Sequence, residues 1–136
     1  MKRLFLTGSA GHLGSRLAEL ASEWDLIYCW HKTPPNLSIS GQPIQIDLCD
    51  TKQVHDAILK YQPDVIIHAA CSNRSEDAIV PSSENLAKSA NINSTRIIYV
   101  STDMVFDGEH APYKDNSLPN PIVSYGKAKS EAETII

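Results

Sequence analysis

Three residues in the second half of the sequence could together transfer a proton. Tyr125 and Lys129 are four residues apart, so on a helix they lie on the same face. An ammonium group beside a phenol favours the phenolate and lowers the tyrosine pKa, which suits the phenol to proton transfer. Thr102 follows a hydrophobic strand and could hold the same substrate oxygen. A core tyrosine beside a solvated lysine would produce the same spacing, so the pattern is informative only with other signals.

The elements that must position these residues alternate between strand and helix. Apolar runs predict strands at residues 4–7, 26–30, 44–46, 64–68 and 96–100. Helices are expected from the glycine turn after the first strand, from Asp50 and Thr51 to Tyr61, over 84–90 and over 124–136. This alternation predicts an α/β fold with a Rossmann-like, doubly wound parallel sheet and right-handed crossovers. With 136 residues, the chain fits one domain, residues 1–136.

A glycine-rich turn follows the first strand and opens the first helix, on which Leu13, Leu17 and Leu20 are spaced helically. In a strand–turn–helix context, Gly8 permits the tight turn and Gly11 lets the backbone approach a pyrophosphate at the helix N-terminus. Gly14 lets the helix lie close to the strand. The spacing is G-x-x-G-x-x-G, and an ordinary glycine turn is the alternative. We expect a dinucleotide to bind here.

The end of the second strand carries His31 and Lys32 instead of the acidic residue that would bind the ribose of NAD. Basic residues at this place can accept the 2′-phosphate, which favours NADP(H) over NAD(H); a solvated loop is the alternative. Asp47 could reach the adenine amino group or be a turn residue. His68, in the fourth strand, is interpreted as a hydrogen-bonded core residue and is assigned no chemistry.

Composition excludes several other classes of protein. The net charge of −4 gives no basic footprint for nucleic acid, and no apolar run is long enough to cross a membrane. The cysteines (Cys29, Cys49 and Cys71) are scattered, and no histidine pair has metal-ligand spacing. This pattern favours reduced thiols in the cytoplasm and no metal site.

An ordered set of motifs resembles the extended short-chain dehydrogenase/reductases, in particular the branch of dTDP-4-dehydrorhamnose reductase and its sugar-nucleotide-binding relatives. The motifs are Ser101-Thr102-Asp103-x-Val105-Phe106-Asp107-Gly108, Pro112-Tyr113, Pro119-Asn120-Pro121, Tyr125-Gly126-x-x-Lys129 and Glu131-Ala132-Glu133. The resemblance covers the whole chain and is less specific in its middle.

The resemblance implies a role for each matching residue. Tyr125 would give its proton to a carbonyl oxygen, Lys129 would lower the Tyr125 pKa and bind the nicotinamide ribose, and Thr102 would bond the reacting oxygen. Thr102 and Asp103 would also contact the nucleotide-sugar substrate. The implied cofactor contacts are Gly8, Gly11, His12, Leu13, Gly14, His31, Lys32, Asp47, Leu48, Ala69, Ala70, Cys71, Val100, Ser101, Tyr125 and Lys129.

Four features depart from the family pattern. Met104 stands where the branch usually has tyrosine, and the stretch from Cys71 to Leu86 is short and lacks the usual Val-Asn. The asparagine often counted as a fourth catalytic residue is therefore missing or displaced. The acidic residue after the second strand is absent. Family members are about twice this length, so we expect the cofactor-binding half, truncated before the substrate-binding domain.

The implied function is NAD(P)H-dependent reduction of a nucleotide-linked 4-keto-6-deoxy sugar. A non-catalytic nucleotide-binding subunit is the first alternative, because the regulatory subunit of methionine adenosyltransferase resembles the same branch. A sugar-nucleotide epimerase or dehydratase with the same three residues is the second. The sequence leaves open which sugar is bound and whether the protein forms a homodimer.

Overall fold

The computed structural model describes residues 1–36, 38–71 and 76–136, which form a parallel sheet with helices on both faces. Its strands, all parallel, lie in the order β3-β2-β1-β4-β5. Their bounds are Arg3–Thr7 for β1, Asp25–Trp30 for β2, Gln42–Gln45 for β3, Val65–His68 for β4 and Arg96–Tyr99 for β5. The Rossmann-like fold class predicted from the sequence is confirmed.

The helices are α1 (His12–Leu20), α2 (Thr51–Tyr61), α3 (Ile79–Ile92) and α4 (Ser124–Ile135), with short 3₁₀ turns at Glu76–Ala78 and Asp103–Val105. The chain builds the sheet outward from β1 through β2 to β3, then returns to the other side of β1 for β4 and β5. The sheet order therefore reverses between β1 and β4. In open α/β sheets, ligands bind outside the carboxyl ends of the strands at such a reversal.

Alternating side chains of β1 point to opposite faces of the sheet and divide the core in two. Leu4 and Leu6 pack with Ala18 of α1 on one face. Phe5, on the other face, belongs to a cluster that includes Ile58 of α2. Helices α2 and α3 share that second face, and α4 packs against α3 and the 3₁₀ turn Asp103–Val105. This packing brings α4 to the tip of β5.

Helix α3 is much longer than the predicted helix over 84–90, since it begins at Ile79. Pro81 and the serines that follow it are typical of a loop. However, Pro81 is in the first turn of α3, where a backbone N–H has no partner within the helix and its loss is tolerated. The prediction for this segment was wrong in its bounds. Residues 72–75 of the stretch that could not be assigned lie outside the described residues.

Two local predictions fare differently. Asp50 caps α2, with its carboxylate accepting a hydrogen bond from the Gln53 amide at 3.0 Å, as the sequence indicates. On α1 the helix is confirmed but Leu13 and Leu20 are exposed, because Gly14 and Ala18 form the buried face. In the part of the chain that the structure describes, no helix is both long and apolar enough to cross a membrane.

Candidate functional site

An open cleft of about 730 Å³ lies at the carboxyl ends of β1, β2 and β4. The segments that follow these strands and β3, together with the beginning of α3, form its walls. The lining residues are Gly8, Ala10, Gly11, Trp30, His31, Lys32, Thr33, Asp47, Leu48, Cys49, Ala69, Ala70, Cys71, Ala78, Ile79 and Ser82. The cleft therefore occupies the position at which this sheet order predicts a ligand.

The surrounding structure requires glycine at two of the three glycine positions of the turn and leaves room for a side chain at the third. Gly8 has a φ of +74°, and a Cβ there would lie 2.7 Å from the Ala70 amide nitrogen. At Gly14 a Cβ would lie 2.1 Å from the Gly8 carbonyl oxygen, so the fold itself requires glycine at both positions. At Gly11 the nearest atom would be 3.4 Å away, an ordinary contact. The protein has room for a side chain at Gly11, which leaves close approach of a ligand as a reason for glycine there.

The N-terminus of α1 is available to an anion. The helix begins immediately after Gly11, which lines the cleft, and among the described residues no side chain caps this end. The first backbone N–H groups of a helix lack partners within the helix, and they carry the positive end of its dipole. A diphosphate group in the cleft would satisfy them, as the glycine pattern predicts.

The residues predicted to bind the adenosine half of the cofactor lie together at one end of the cleft. His31, Lys32, Asp47 and Leu48 all line it. His31 Nε2 is 3.7 Å from Asp47 Oδ2, and the other Asp47 oxygen accepts a hydrogen bond from the Cys49 amide at 2.9 Å. This end of the cleft thus combines basic and acidic side chains that a nucleotide could contact.

His68 lies under the cleft and is held by hydrogen bonds that fix its tautomer. The Ser83 hydroxyl donates to the Ile79 carbonyl, so its oxygen accepts from His68 Nε2 at 3.4 Å. Nδ1 then accepts the Thr7 hydroxyl hydrogen at 2.9 Å, while Thr7 Oγ1 accepts the Ala70 N–H. Burial, and then the charge of Lys129, lowers the pKa of His68 to about 4. His68 is a neutral core residue, as the sequence analysis holds.

Tyr125, Lys129 and Thr102 all lie near the tip of β5, where Lys129 contacts the Val100 carbonyl and Tyr125 interacts with the Thr102 hydroxyl. A Cβ at Gly126 would lie 2.1 Å from the Met104 carbonyl oxygen, so glycine lets α4 begin directly against the 3₁₀ turn after Thr102. The Tyr125 hydroxyl is 3.8 Å from Cys71 Sγ, and Cys71 lines the cleft. The phenol therefore stands at the end of the cleft opposite His31 and Asp47.

The protonation of Tyr125 differs from the expectation. Burial first, and then Cys71, raises the pKa of Tyr125, while the Thr102 hydroxyl lowers it by a smaller amount. The lowering expected from Lys129 is not observed: its ammonium donates instead to the Val100 carbonyl at 2.6 Å. Burial also lowers the pKa of Lys129. Tyr125 is thus a neutral phenol, the form that can donate a proton.

The loop after Thr102 is organised by Asp107. Its carboxylate accepts hydrogen bonds from the Glu109 amide at 2.9 Å, from Asn120 Nδ2 at 3.1 Å and from the Tyr113 hydroxyl. These bonds hold the pKa of Asp107 far below its usual range, with the Tyr113 bond contributing most. Tyr113 in turn stacks on Phe106 at 4.2 Å. The loop is a fixed wall beside Thr102 and Asp103.

The structure brings together most, though not all, of the predicted cofactor residues. His12 and Leu13 are exposed at the start of α1 and do not line the cleft, and Gly14 is buried under it. The cleft lining also lacks four predicted residues beside it: Val100 and Ser101 after β5, and Tyr125 and Lys129 on α4. Asn85 lies in the segment where the family's catalytic asparagine was expected to be missing or displaced. Its side chain donates to the Leu48 carbonyl at 3.0 Å, away from the candidate catalytic residues Tyr125, Lys129 and Thr102. Lining residues that the sequence analysis missed include Trp30 and Thr33, which flank His31 and Lys32. The start of α3 was missed because its proline and serines resemble a loop.

The reversed sheet order, the glycine turn and the Tyr125–Lys129 pair define the class of the short-chain dehydrogenase/reductases. Residues 1–136 match the family described as the RmlD substrate binding domain. The chain belongs to that family.

Relatives of two kinds are similar to this chain. Methionine adenosyltransferase 2 subunit beta of Bos taurus is 34% identical over 148 residues, which cover 99% of this chain and 42% of that protein. dTDP-4-dehydrorhamnose reductase of Aggregatibacter actinomycetemcomitans is 31% identical over 147 residues, covering 100% of this chain and 47% of that protein. The chain spans less than half the length of these relatives.

Solved structures share the fold over nearly the whole chain. A hypothetical dTDP-4-dehydrorhamnose reductase from Sulfolobus tokodaii superposes with a TM-score of 0.85 at 32% identity, over 98% of this chain and 51% of that one. The Bordetella bronchiseptica enzyme WbmG, crystallised with NAD and UDP, gives a TM-score of 0.84 at 24% identity over 98% of this chain and 48% of that one. At that identity the likeness to WbmG establishes the fold alone.

Proposed function

We propose that this chain is the nicotinamide-dinucleotide-binding part of a reductase that acts on a nucleotide-linked 4-keto-6-deoxy sugar. The observation that carries the proposal is that one cleft connects the glycine turn to Tyr125. Cys71 lines the cleft beside Gly8 and lies 3.8 Å from the Tyr125 hydroxyl. The similarity to dTDP-4-dehydrorhamnose reductase supports the choice of reaction.

The residues would divide the work along the cleft. The α1 N-terminus at Gly11 would hold the diphosphate, and Asp47 with Leu48 would contact the adenine. A nicotinamide dinucleotide supplies a hydride when it is bound. Tyr125, a neutral phenol here, would donate its proton to the carbonyl oxygen, which Thr102 would hold by a second hydrogen bond. Lys129 would stabilise the phenolate that is left and bind the nicotinamide ribose.

The cofactor is proposed to be NADP(H) in preference to NAD(H). His31 and Lys32 lie at the adenosine end of the cleft and could contact a 2′-phosphate. Fluorescence titration with NADPH and NADH, with and without Lys32→Ala, tests this. We expect Lys32→Ala to weaken the binding of NADPH several-fold and to leave the affinity for NADH unchanged. An unchanged NADPH affinity would remove the argument for NADP(H).

The reductase activity is tested by NADPH oxidation with a dTDP-linked 4-keto-6-deoxy sugar, using the whole protein that contains this chain. Tyr125→Phe removes the donated proton, and we expect the rate to fall by at least about a hundredfold. Tyr28→Phe is the matched control, because it removes a phenol hydroxyl from the buried α1 face of the sheet. A rate that Tyr125→Phe leaves unchanged would refute the catalytic role.

The second candidate is a nucleotide-binding subunit without turnover. Vertebrate methionine adenosyltransferase 2 subunit beta sequences are 31% to 34% identical to this chain, which favours it. Retention of Tyr125, Lys129 and Thr102 in one group favours the reductase, since a binding subunit has no need of a proton donor. Dinucleotide binding by the whole protein without any oxidation of NADPH or NADH would support the binding subunit.

A further inference from the structure

Lys129 carries a buried charge that forms no salt bridge among the described ion pairs. The residue as a whole is only 3% exposed. The nearby Glu133, one helical turn further on, accepts a hydrogen bond from the Ser101 hydroxyl. A buried ammonium is costly unless other groups compensate for its lost hydration. The Val100 carbonyl, 2.6 Å from Nζ, is one such group, and a second is needed.

The ring of Tyr99 supplies the second contact. Lys129 Nζ lies 4.1 Å from the ring centroid, well within the range at which an aromatic face attracts a cation. The Tyr99 ring also packs against His68, with the two ring centroids 5.4 Å apart. Since hydrogen bonds to Thr7 and Ser83 fix the His68 ring, Tyr99 is packed against an immobile neighbour. Burial raises the pKa of Tyr99, so the ring is that of a neutral phenol.

We propose that Tyr99 is a positioning residue for Lys129, holding the ammonium by the face of its ring against the Val100 carbonyl at the tip of β5. An ammonium has three N–H donors, of which one is used by Val100. With the ring covering a second direction, the donor that remains can serve the cleft. Only this use of Lys129 rests on the proposed function; the contact between Tyr99 and Lys129 does not.

Several titratable groups surround the Lys129 ammonium and must be considered when its pKa is measured. Those on neighbouring elements belong to β4, to the segment after β4 and to β5, and those on its own helix are one turn away on either side. They are His68, Cys71, Tyr99, Tyr125 and Glu133. Replacing Tyr99 removes its ring from Lys129 and leaves the other four titratable groups in place.

The test is a pH titration of Lys129 by NMR of ¹³Cε-labelled lysine, in the protein without dinucleotide or substrate. Lys129→Arg identifies the signal by removing it. Tyr99→Leu removes the ring, and we expect the Lys129 pKa to fall by about one unit, because the charged form loses an attractive partner. Tyr99→Phe keeps the ring and should leave the pKa within a few tenths of a unit of its original value.

Controls separate this role from a general effect on packing. Tyr61→Leu also removes a buried ring, one that lies against Lys60 with Nζ 4.9 Å from its centroid, and it should not move the Lys129 pKa. If circular dichroism shows Tyr99→Leu to be unfolded, Tyr99→Met replaces it. An unchanged Lys129 pKa without the ring, or an equal fall in Tyr99→Phe, would overturn the proposal. The titration is independent of the reductase assay, so either can fail alone.

Discussion

Acid should destabilise the protein through His68. This residue is 1% exposed, and its pKa in the folded protein is about 4, against 6.5 for an ordinary histidine. Because the His68 pKa is lower in the folded protein, the unfolded chain binds the proton more readily between pH 4 and pH 6.5. The stability that neutral His68 contributes is therefore fully present above pH 6.5 and is lost as the pH falls towards 4.

The size of this effect follows from the two pKa values. At about 1.4 kcal/mol per unit, the whole shift of 2.5 units, from 6.5 to about 4, corresponds to about 3.4 kcal/mol of unfolding free energy. Relative to pH 7.5, the loss is about 1.4 kcal/mol at pH 5.5 and about 2.5 kcal/mol at pH 4.5. Protonation has this cost because burial denies the imidazolium its hydration and because the positive charge of Lys129 repels it.

Urea unfolding followed by tryptophan fluorescence, with wild type and His68→Asn compared at each pH, measures the effect. Groups common to both proteins cancel in the difference, so the stability advantage of wild type should shrink by about 2.5 kcal/mol between pH 7.5 and 4.5. His12→Asn removes an exposed imidazole and is the matched control with which the pH dependence of the His68 difference is compared. A His68 difference that is the same at both pH values would refute the reasoning.

Two further predictions concern the cleft and its wall. Saturating NADPH should slow alkylation of Cys49 and Cys71 several-fold, because both line the cleft, as mass spectrometry of iodoacetamide adducts would show. Cys29, 1% exposed and with its pKa raised to about 12 by burial, should stay unlabelled throughout, and equal labelling of Cys71 with and without NADPH would contradict the cleft assignment. Asp107→Asn should loosen the adjoining loop, since the amide cannot accept all the bonds made by the carboxylate, and limited trypsinolysis at Lys114 should become faster. Unchanged cleavage at Lys114 would show that Asp107 does not organise the loop.

Hydrophobic runs and helix-capping residues predicted most of the strands and the start of one helix. Hydrophobic runs located β1, β2, β4 and β5 to within a residue or two, and Asp50 marked the start of α2. Helix α3 was misjudged because the tolerance of Pro81 depends on its place in the first turn, which composition does not specify. The spacing of Leu13, Leu17 and Leu20 predicted the helix α1 but not its buried face, whereas the close packing expected at Gly14 is found, against the Gly8 carbonyl.

The partners of the candidate catalytic residues were beyond the reach of the sequence. Tyr125 and Cys71 are 54 residues apart and meet only because α4 packs at the strand tips. Helical spacing places Tyr125 and Lys129 on one face but does not reveal that Val100 and Tyr99 hold the ammonium. For the same reason, the direction of the Tyr125 pKa shift could not be derived from the pair alone.

The central claim is that the cleft between the glycine turn and Tyr125 binds a nicotinamide dinucleotide. Titration of the chain with NADH and NADPH, followed by cofactor fluorescence, tests it most directly when Gly11→Ala is measured beside the wild type. The structure has room for the added methyl group, with its nearest contact at 3.4 Å, so the urea midpoint should not change. We predict that wild type binds and that Gly11→Ala binds at least about tenfold more weakly, a difference of about 1.4 kcal/mol. No binding by the wild type, or equal binding by Gly11→Ala, would contradict the claim.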